Sequence, residues 1–214
     1  MASPRTELFK TPICRLSYAQ GLFKPGTYGD DKDAKPKFNP SFIFEDKDKA
    51  FFEPYLLEVL KEMKDGVKRF KEELIRNPLI RGDGPEAKYK TGDHAGEIKP
   101  GLGKGFFFIR PTAQPDNPPS VWFRDKNKQE TEEVVYSGCY GKAILNVYAW
   151  KDGKGLSFGI SGFQRFPHPT YGDGELLFTG GKGNFDTDKW SETIADEGPT
   201  PETNGKGAAS LFGD

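Results

Sequence analysis

The sequence predicts a mainly β fold, a small Greek-key barrel that carries one helical segment. Glycine and proline contribute 26 and 17 of the 214 residues, a proportion typical of a loop-rich β protein. Several short stretches alternate apolar and polar residues with the period of two that a strand requires. Only one stretch has helical periodicity, whereas a parallel sheet needs a crossover helix between successive strands. These observations favour antiparallel strands that close into a barrel.

The first elements are a basic and apolar cluster, a strand and the helical segment. The cluster reads "CRLSYAQGLFKP", and "FNPSFIFEDKD" at residues 38–48 then alternates as a strand does. From about residue 51 to 78 the apolar residues recur in steps of three and four, and Asn77-Pro78 ends the run. We expect the apolar residues of this helical insertion to face the core: Leu56, Leu57, Leu60, Met63, Val67, Phe70 and Leu74.

The remaining strands follow a long loop at residues 81–105. "GKGFFFIRPTA" and "SVWFRDKN" are two strands, separated by "QPDNPP", whose prolines prevent ladder pairing. "YSGCYGKAILNVYAW" at residues 136–150 and "GLSFGISGFQRF" at residues 155–166 form a long hairpin around the "KDGKG" turn. The order of elements is therefore a strand, a helical insertion, further strands and a hairpin.

The two faces of the strand at residues 136–150 differ in character. The odd positions from Cys139 to Ala149 are small and apolar, which suits a core. The even positions carry aromatic rings and a cation. Neighbouring strands show similar pairings of rings and cations on one side. The residues concerned are Tyr140, Lys142, Tyr148 and Trp150 in this strand, Lys104 and Arg110 with Phe106 and Phe108 in "KGFFFIR", and Phe163 with Arg165 in "GFQRF".

Rings interleaved with cations indicate a surface for single-stranded nucleic acid. Every nucleobase has a π-face that can stack on a ring, and every linkage carries a negative charge. We expect Tyr140, Tyr148, Trp150 and Phe163 to stack bases, and Lys104, Arg110, Lys142 and Arg165 to meet phosphates. In the competing interpretation some rings close the barrel or pack beneath the helical insertion, with Phe106 and Phe108 as ordinary core residues.

The charge is distributed unevenly along the chain, although the net charge is only −1. From residue 186 onward there are seven acidic residues and two lysines, a net charge of −5. Residues 1–185 contain 29 basic and 25 acidic residues, a net charge of +4. A basic body with an acidic tail is a pattern associated with nucleic-acid contact, and the polar composition of the tail predicts disorder.

Motifs for catalysis or cofactor binding do not emerge, and we expect a non-catalytic protein without a cofactor. The candidate zinc ligands Cys14, Cys139, His94 and His168 match no ligand spacing. A Walker loop needs Ser or Thr after its lysine, whereas Lys104 is followed by glycine. No apolar run reaches the roughly 20 residues of a membrane span, and "MASPRTELFK" lacks the apolar region of a secretory signal. These features predict a reduced, cytosolic protein without membrane contact.

Several blocks resemble a family of single-stranded DNA-binding proteins of tailed phages, long filed as a domain of unknown function. They are "CRLSYAQGLFKP", "VYSGCYGKAILNVYAW", "GLSFGISGFQRF" and "YGDGELLF", in this order, and the resemblance spans roughly residues 11–186. It implies a five-stranded OB-like barrel that binds single-stranded DNA without strong sequence preference, in phage replication or recombination. It also implies action in the cytoplasm of an infected bacterium.

The resemblance also implies further DNA-contacting residues and a division of the chain into a domain and a tail. Arg15, Tyr18 and Lys24, in the first matching block, are expected at the rim of the DNA groove. Residues 1–185 would form the OB domain and residues 186–214 an acidic tail. This tail resembles those that recruit replication proteins of phage or host, or compete with DNA. The residues assigned to that role are Asp196, Glu197, Leu211, Phe212 and Asp214, although Lys189 and Lys206 interrupt the acidic pattern.

Two other functions remain open at the level of sequence. A structural or protein-docking phage component would use the aromatic face for a partner protein, and its affinity for nucleic acid would not exceed what the charge of the body provides. A nuclease accessory would need an acidic cluster for magnesium, and the acidic residues are scattered.

Overall fold

The computed structural model describes residues 3–27, 35–66, 75–152 and 154–177. The chain divides into two compact units, Met1–Phe178 and Thr179–Asp214, and the described residues all belong to the first. The expected acidic tail therefore lies outside the described residues, together with Asp196, Glu197, Leu211, Phe212 and Asp214.

Eight strands and two α-helices are described, in agreement with the expected mainly β fold. The strands are β1 Phe9–Lys10, β2 Cys14–Leu16, β3 Phe42–Glu45, β4 Ile80–Arg81, β5 Phe106–Ile109, β6 Ser120–Trp122, β7 Tyr140–Ala149 and β8 Leu156–Arg165. The helices are α1 Gln20–Phe23 and α2 Lys49–Gly66. Short 3-10 turns occupy Asp46–Asp48 and Pro85–Ala87.

Five of the strands form a closed ring. β2 pairs with β3 and with β7, β3 pairs with β5, and β7 pairs with β8, all antiparallel. The ring closes where the chain just after β5 runs parallel to β8. There Thr112 N donates to the carbonyl oxygen of Phe158 (2.9 Å), and Ile160 N donates to that of Thr112 (3.1 Å). This ring of β2, β3, β5, β8 and β7 is compatible with an OB barrel.

Three short strands extend the ring at its surface. β1 pairs with β7, β4 pairs with β5, and β6 runs parallel to β8. β6 places Trp122 opposite Gln164 of β8, whose partner on β7 is Lys142.

The interior of the ring is filled mainly by phenylalanine. Phe42 stacks on Phe163 with the ring centroids 5.3 Å apart. At one end of the ring Phe52 of α2 meets Phe44, Phe107 and Phe158 at centroid distances of 5.0, 5.8 and 5.6 Å. The odd residues of β7 are buried, as predicted. The free cysteines Cys14 and Cys139 are also buried, and burial raises the pKa of the Cys139 thiol to about 12.

The helical insertion begins at Lys49, and α2 packs on β7 through one stripe. Phe52, Val59 and Met63 are buried along that stripe, whereas Leu57 is 53% exposed, so the expected core position of Leu57 is wrong. The reason is the helical repeat, because a residue two positions before Val59 lies about 200° away around the helix axis. Residues 67–74, with Val67, Phe70 and Leu74, lie outside the described residues.

Replacing Phe52 by alanine is expected to lower the free energy of unfolding by about 3–5 kcal/mol, because it leaves a cavity among three other rings. Leu57→Ala, in the same helix, is the matched control and is expected to change stability by less than about 0.5 kcal/mol. Urea unfolding followed by circular dichroism measures both. Equal losses for the two variants would contradict the described orientation of α2.

Candidate nucleic-acid interface

The outer face of β7 is a continuous, half-exposed surface. Alternate residues of β7 point away from the core and remain partly accessible, while those between them are buried. The surface runs for roughly 33 Å, given about 3.3 Å per residue. We call this surface the platform. Its residues are Tyr140, Lys142, Ile144, Asn146, Tyr148 and Trp150.

Trp150 lies against the sheet at one end of the platform because its neighbour, just before β8, is the glycine Gly155. A Cβ atom added to Gly155 would lie 2.9 Å from the indole ring, so that any side chain there would displace the ring. The Arg76 guanidinium lies 6.0 Å from the centroid of the same ring. One cation is thus held beside an indole that is half-exposed.

A second indole, that of Trp122 in β6, also lies against a glycine, here Gly162 of β8. Trp122 was not among the site residues predicted from the sequence. A Cβ atom on Gly162 would lie 2.8 Å from Cζ3 of Trp122, so the ring depends on the missing side chain. Trp122 is half-buried. It pairs with Gln164 of β8, and Gln164 pairs with Lys142 of β7, so the three residues lie side by side across the sheet. The ring of Trp122 therefore widens the platform by two strands.

Tyr148 is fixed in position by its hydroxyl group. The Tyr148 hydroxyl oxygen lies 3.1 Å from Oγ1 of Thr112, in a hydrogen bond in which either can donate. Thr112 is hydrogen-bonded to the edge of β8 that does not pair with β7, so the Tyr148 side chain reaches across β8. Its ring remains partly accessible.

Tyr140 occupies the other end of the platform, within a cluster of rings. The ring centroids of His168 and Tyr171 lie 4.9 and 5.9 Å from that of Tyr140, and the Arg15 guanidinium lies 5.7 Å from it. Partial burial raises the pKa of the Tyr140 phenol, and the nearby Arg15 cation opposes that shift. Lys142 Nζ lies 5.4 Å from the ring centroid of Phe166, an exposed residue that extends this end.

Two of the predicted contact residues are not on the surface. Phe163 is fully buried against Phe42, and Arg165 is only 2% exposed, so their expected exposure to DNA is wrong. The cause is a bulge in β8. The register shifts between Ile144 and Leu145, whose partners are Gly162 and Ile160, so that Ser161 is an extra residue. Residues after the bulge point to the opposite side from that expected by alternation.

Arg165 is instead a buried structural cation. Its Nη1 donates to the carbonyl oxygen of Val134 (2.8 Å), and its Nη2 forms an ion pair with Oδ1 of Asp173 at 3.1 Å. The guanidinium carbon also lies 4.6 and 5.2 Å from the ring centroids of Phe123 and Tyr136. A buried charge requires such partners, because its desolvation cost is otherwise several kcal/mol.

The other predicted residues are distributed over several places. Tyr140, Lys142, Tyr148 and Trp150 share the platform, and Arg15 borders it through Tyr140. Lys104 precedes β5 and Arg110 follows it, and β5 pairs with β3 and β4 rather than with β7. Arg110 Nη2 donates to the carbonyl oxygen of Glu86 (3.2 Å).

The two remaining rim residues and the two phenylalanines of β5 have distinct surroundings. Tyr18 is exposed beside Gln20, and Lys24 forms an exposed ion pair with Glu132 at 3.2 Å. Phe108 is buried, as expected of an ordinary core residue, whereas Phe106 is 39% exposed and departs from that expectation.

Two further searches of the described part of the chain concern metal ligands and membrane-spanning helices. There, no three His, Cys, Asp or Glu residues come together in a way that could hold a metal ion. None of the helices in these residues is long and apolar enough to span a bilayer. The arrangement of rings and cations on the platform is suited to stacking and charge neutralisation.

Comparisons with known proteins identify one family and one fold. The model of the family described as "Enterobacter phage Enc34, ssDNA-binding protein" matches residues 8–197. The solved structure "Single-stranded DNA-binding protein from bacteriophage Enc34 in complex with ssDNA" has a TM-score of 0.55 at 16% identity, covering 80% of this chain and 89% of that chain. A C-terminal truncation of the Enc34 protein gives a TM-score of 0.53 at 14% identity, covering 83% of this chain and 94% of that one. A search of curated proteins finds no match.

Arg165 is buried and Lys142 is half-exposed, so replacing each of them should affect stability differently. Arg165→Met is expected to lower the free energy of unfolding by about 3 kcal/mol, because it removes one partner of a buried ion pair. Lys142→Met is the control, expected within about 0.5 kcal/mol since its ammonium group lies at the surface. Guanidinium unfolding followed by fluorescence compares the two. A loss of stability for Arg165→Met no larger than that of the control would contradict the buried position of Arg165.

Proposed function

Because the chain belongs to the family of the Enterobacter phage Enc34 ssDNA-binding protein, we propose that it binds single-stranded DNA along the platform. Bases stack on Tyr140, Tyr148 and Trp150, and phosphates meet Lys142 and Arg15. The observation that supports this most is the alternation within β7, which buries the odd residues and leaves rings and a lysine accessible on the other face.

Stacking supplies most of the specificity for single strands. Each base stacked on an aromatic ring contributes about 1–3 kcal/mol, and every base offers a π-face, so the surface tolerates any sequence. Bases in a duplex are already stacked and paired, and the rings cannot reach their faces. The same rings therefore distinguish single strands from duplex DNA without reading sequence.

Cations supply a second contribution, which depends on salt. Each phosphate neutralised by a lysine or arginine releases a counterion, and affinity falls as salt rises. Lys142 and Arg15 lie on or beside the platform, and residues 1–185 carry a net charge of +4. With few cations on or beside the platform, the salt dependence should be moderate and the stacking contribution should persist in high salt.

The role is binding, in keeping with the family's description as a single-stranded DNA-binding protein. We propose that the protein protects exposed strands during phage DNA replication or recombination, in the cytoplasm of the infected host. Recruitment of replication proteins by residues 186–214, or their competition with DNA, stays a prediction. It rests on the charge of −5 in that segment.

Removing one ring of the platform tests the function. Trp150→Ala is expected to weaken binding to oligo-dT by about 1–3 kcal/mol, because one base loses its stacking partner. Phe106→Ala is the matched control, since Phe106 is an exposed ring on β5, away from β7. Fluorescence anisotropy with labelled oligo-dT and a matched duplex, across a salt series, measures the difference.

The outcome separates DNA binding from protein docking. Preference for the single strand, with a loss confined to Trp150→Ala, supports the proposed function. Equal affinity for duplex and single strand, vanishing as salt rises and indifferent to Trp150, would refute it and favour a protein partner for the aromatic face.

A further inference from the structure

The segment after β8, residues 166–177, lies back over the Tyr140 end of the platform. The backbone oxygen of Tyr140 accepts a hydrogen bond from Phe166 N (2.9 Å), which continues the β7–β8 ladder. Farther along, Leu177 N donates to the carbonyl oxygen of Ser137 (3.0 Å). Between these two bonds the segment passes beside Tyr140, which the sequence predicts to contact DNA.

This segment presents a ring that sequence reasoning did not consider. Tyr171 stacks on His168 with centroids 4.6 Å apart and an interplanar angle of 25°, and its plane is inclined by 22° to that of Tyr140. Tyr171 is 58% exposed, the largest exposed fraction among the large hydrophobic side chains of the described residues. A flat ring is thus held at the end of the platform with more than half of its surface accessible.

A compact turn holds Tyr171 in place. His168 and Gly172 exchange two backbone hydrogen bonds of 2.7 and 2.9 Å. Nδ1 of His168 accepts hydrogen bonds from Thr170 N (3.0 Å) and Tyr171 N (3.2 Å). The turn that carries the exposed ring is therefore fixed by its own backbone and by the His168 side chain.

The turn is fastened to the barrel by side chains of β8, of β2 and of the segment before β7. The ion pair of Arg165 with Asp173 lies immediately after it, and Tyr136 Oη donates to the carbonyl oxygen of Gly174 (2.9 Å). Arg15 Nη2 donates to the carbonyl oxygen of Glu175 (2.9 Å). An accessible ring on a rigidly anchored turn loses little conformational entropy when a base stacks on it.

We propose that Tyr171 is the terminal stacking position of the DNA platform, where it receives a nucleobase next to Tyr140. Asp173, paired with the buried Arg165, is the positioning residue that orients Tyr171. This inference rests on the proposed function, because it extends the same surface. It gives Arg165 a role in DNA binding without contact: it anchors the turn that presents the ring.

The test uses the full-length chain, labelled oligo-dT and the variants Tyr171→Ala and Tyr171→Phe. Loss of the ring is expected to weaken binding roughly 5- to 150-fold, the range that one stacked base corresponds to. Tyr171→Phe keeps the ring and is expected to bind as the unmodified protein does. Unchanged or tighter binding by Tyr171→Ala would overturn the inference, since the turn would then be irrelevant to DNA or cover the site.

Trp150→Ala, measured alongside, separates this inference from the proposed function. If Trp150→Ala weakens binding while Tyr171→Ala does not, the stacking role of Tyr171 is refuted and the proposed function stands. If neither variant weakens binding, or the unmodified protein does not prefer single strands, the proposed function fails as well.

The positioning role of Asp173 needs a measurement that reports on one ring. Ultraviolet cross-linking to oligo-dT, followed by peptide mapping, gives separate yields at Tyr171 and at Trp150. Asp173→Asn is expected to reduce the yield at Tyr171 and to leave that at Trp150 unchanged. Equal reduction at both rings would indicate general loss of structure and overturn the positioning role, as would no reduction at either.

Discussion

The pairing of β7 with β8 determines the surface that this protein presents. Nine residue pairs join the two strands, from Gly141 opposite Arg165 to Ala149 opposite Leu156. Because successive side chains of a strand point to opposite faces, a slip of one residue would exchange the core of β7 with the platform. On the interior side of β7, the missing side chain of Gly141 leaves room for the ring of Phe163. The same register leaves tyrosine, tryptophan and lysine outside.

The single irregularity in that ladder connects the core to the far end of the platform. Since Ser161 is an extra residue, Phe163 completes the aromatic interior and Arg165 points inward with it. A guanidinium inside a barrel needs a counter-charge, which Asp173 provides from beyond the end of β8. The segment that carries Asp173 is consequently held against Tyr140. One bulge therefore accounts both for a buried cation and for the ring cluster around Tyr140.

The sequence was sufficient to assign the two faces of a strand where the alternation of apolar and polar residues ran without interruption. The ten residues of β7 alternate throughout, so its buried and outer faces could both be assigned, with Tyr140, Lys142, Tyr148 and Trp150 on the outer one. The bulge in β8 could not be predicted, since only Gly162 hints at it, and Phe163 and Arg165 were therefore placed on the wrong side. Trp122 and Tyr171 escaped notice because parallel pairing of β6 and a turn after β8 bring them to the platform from distant positions.

We propose that a single strand of DNA lies along the outer face of β7, and a crystal structure of the full-length protein with oligo-dT would show this. Bases are expected to stack on Tyr140, Tyr148 and Trp150, with the strand following β7 over roughly 33 Å, at about 3.3 Å per residue. DNA bound over β3 and β5, with those three rings uncovered, would contradict it.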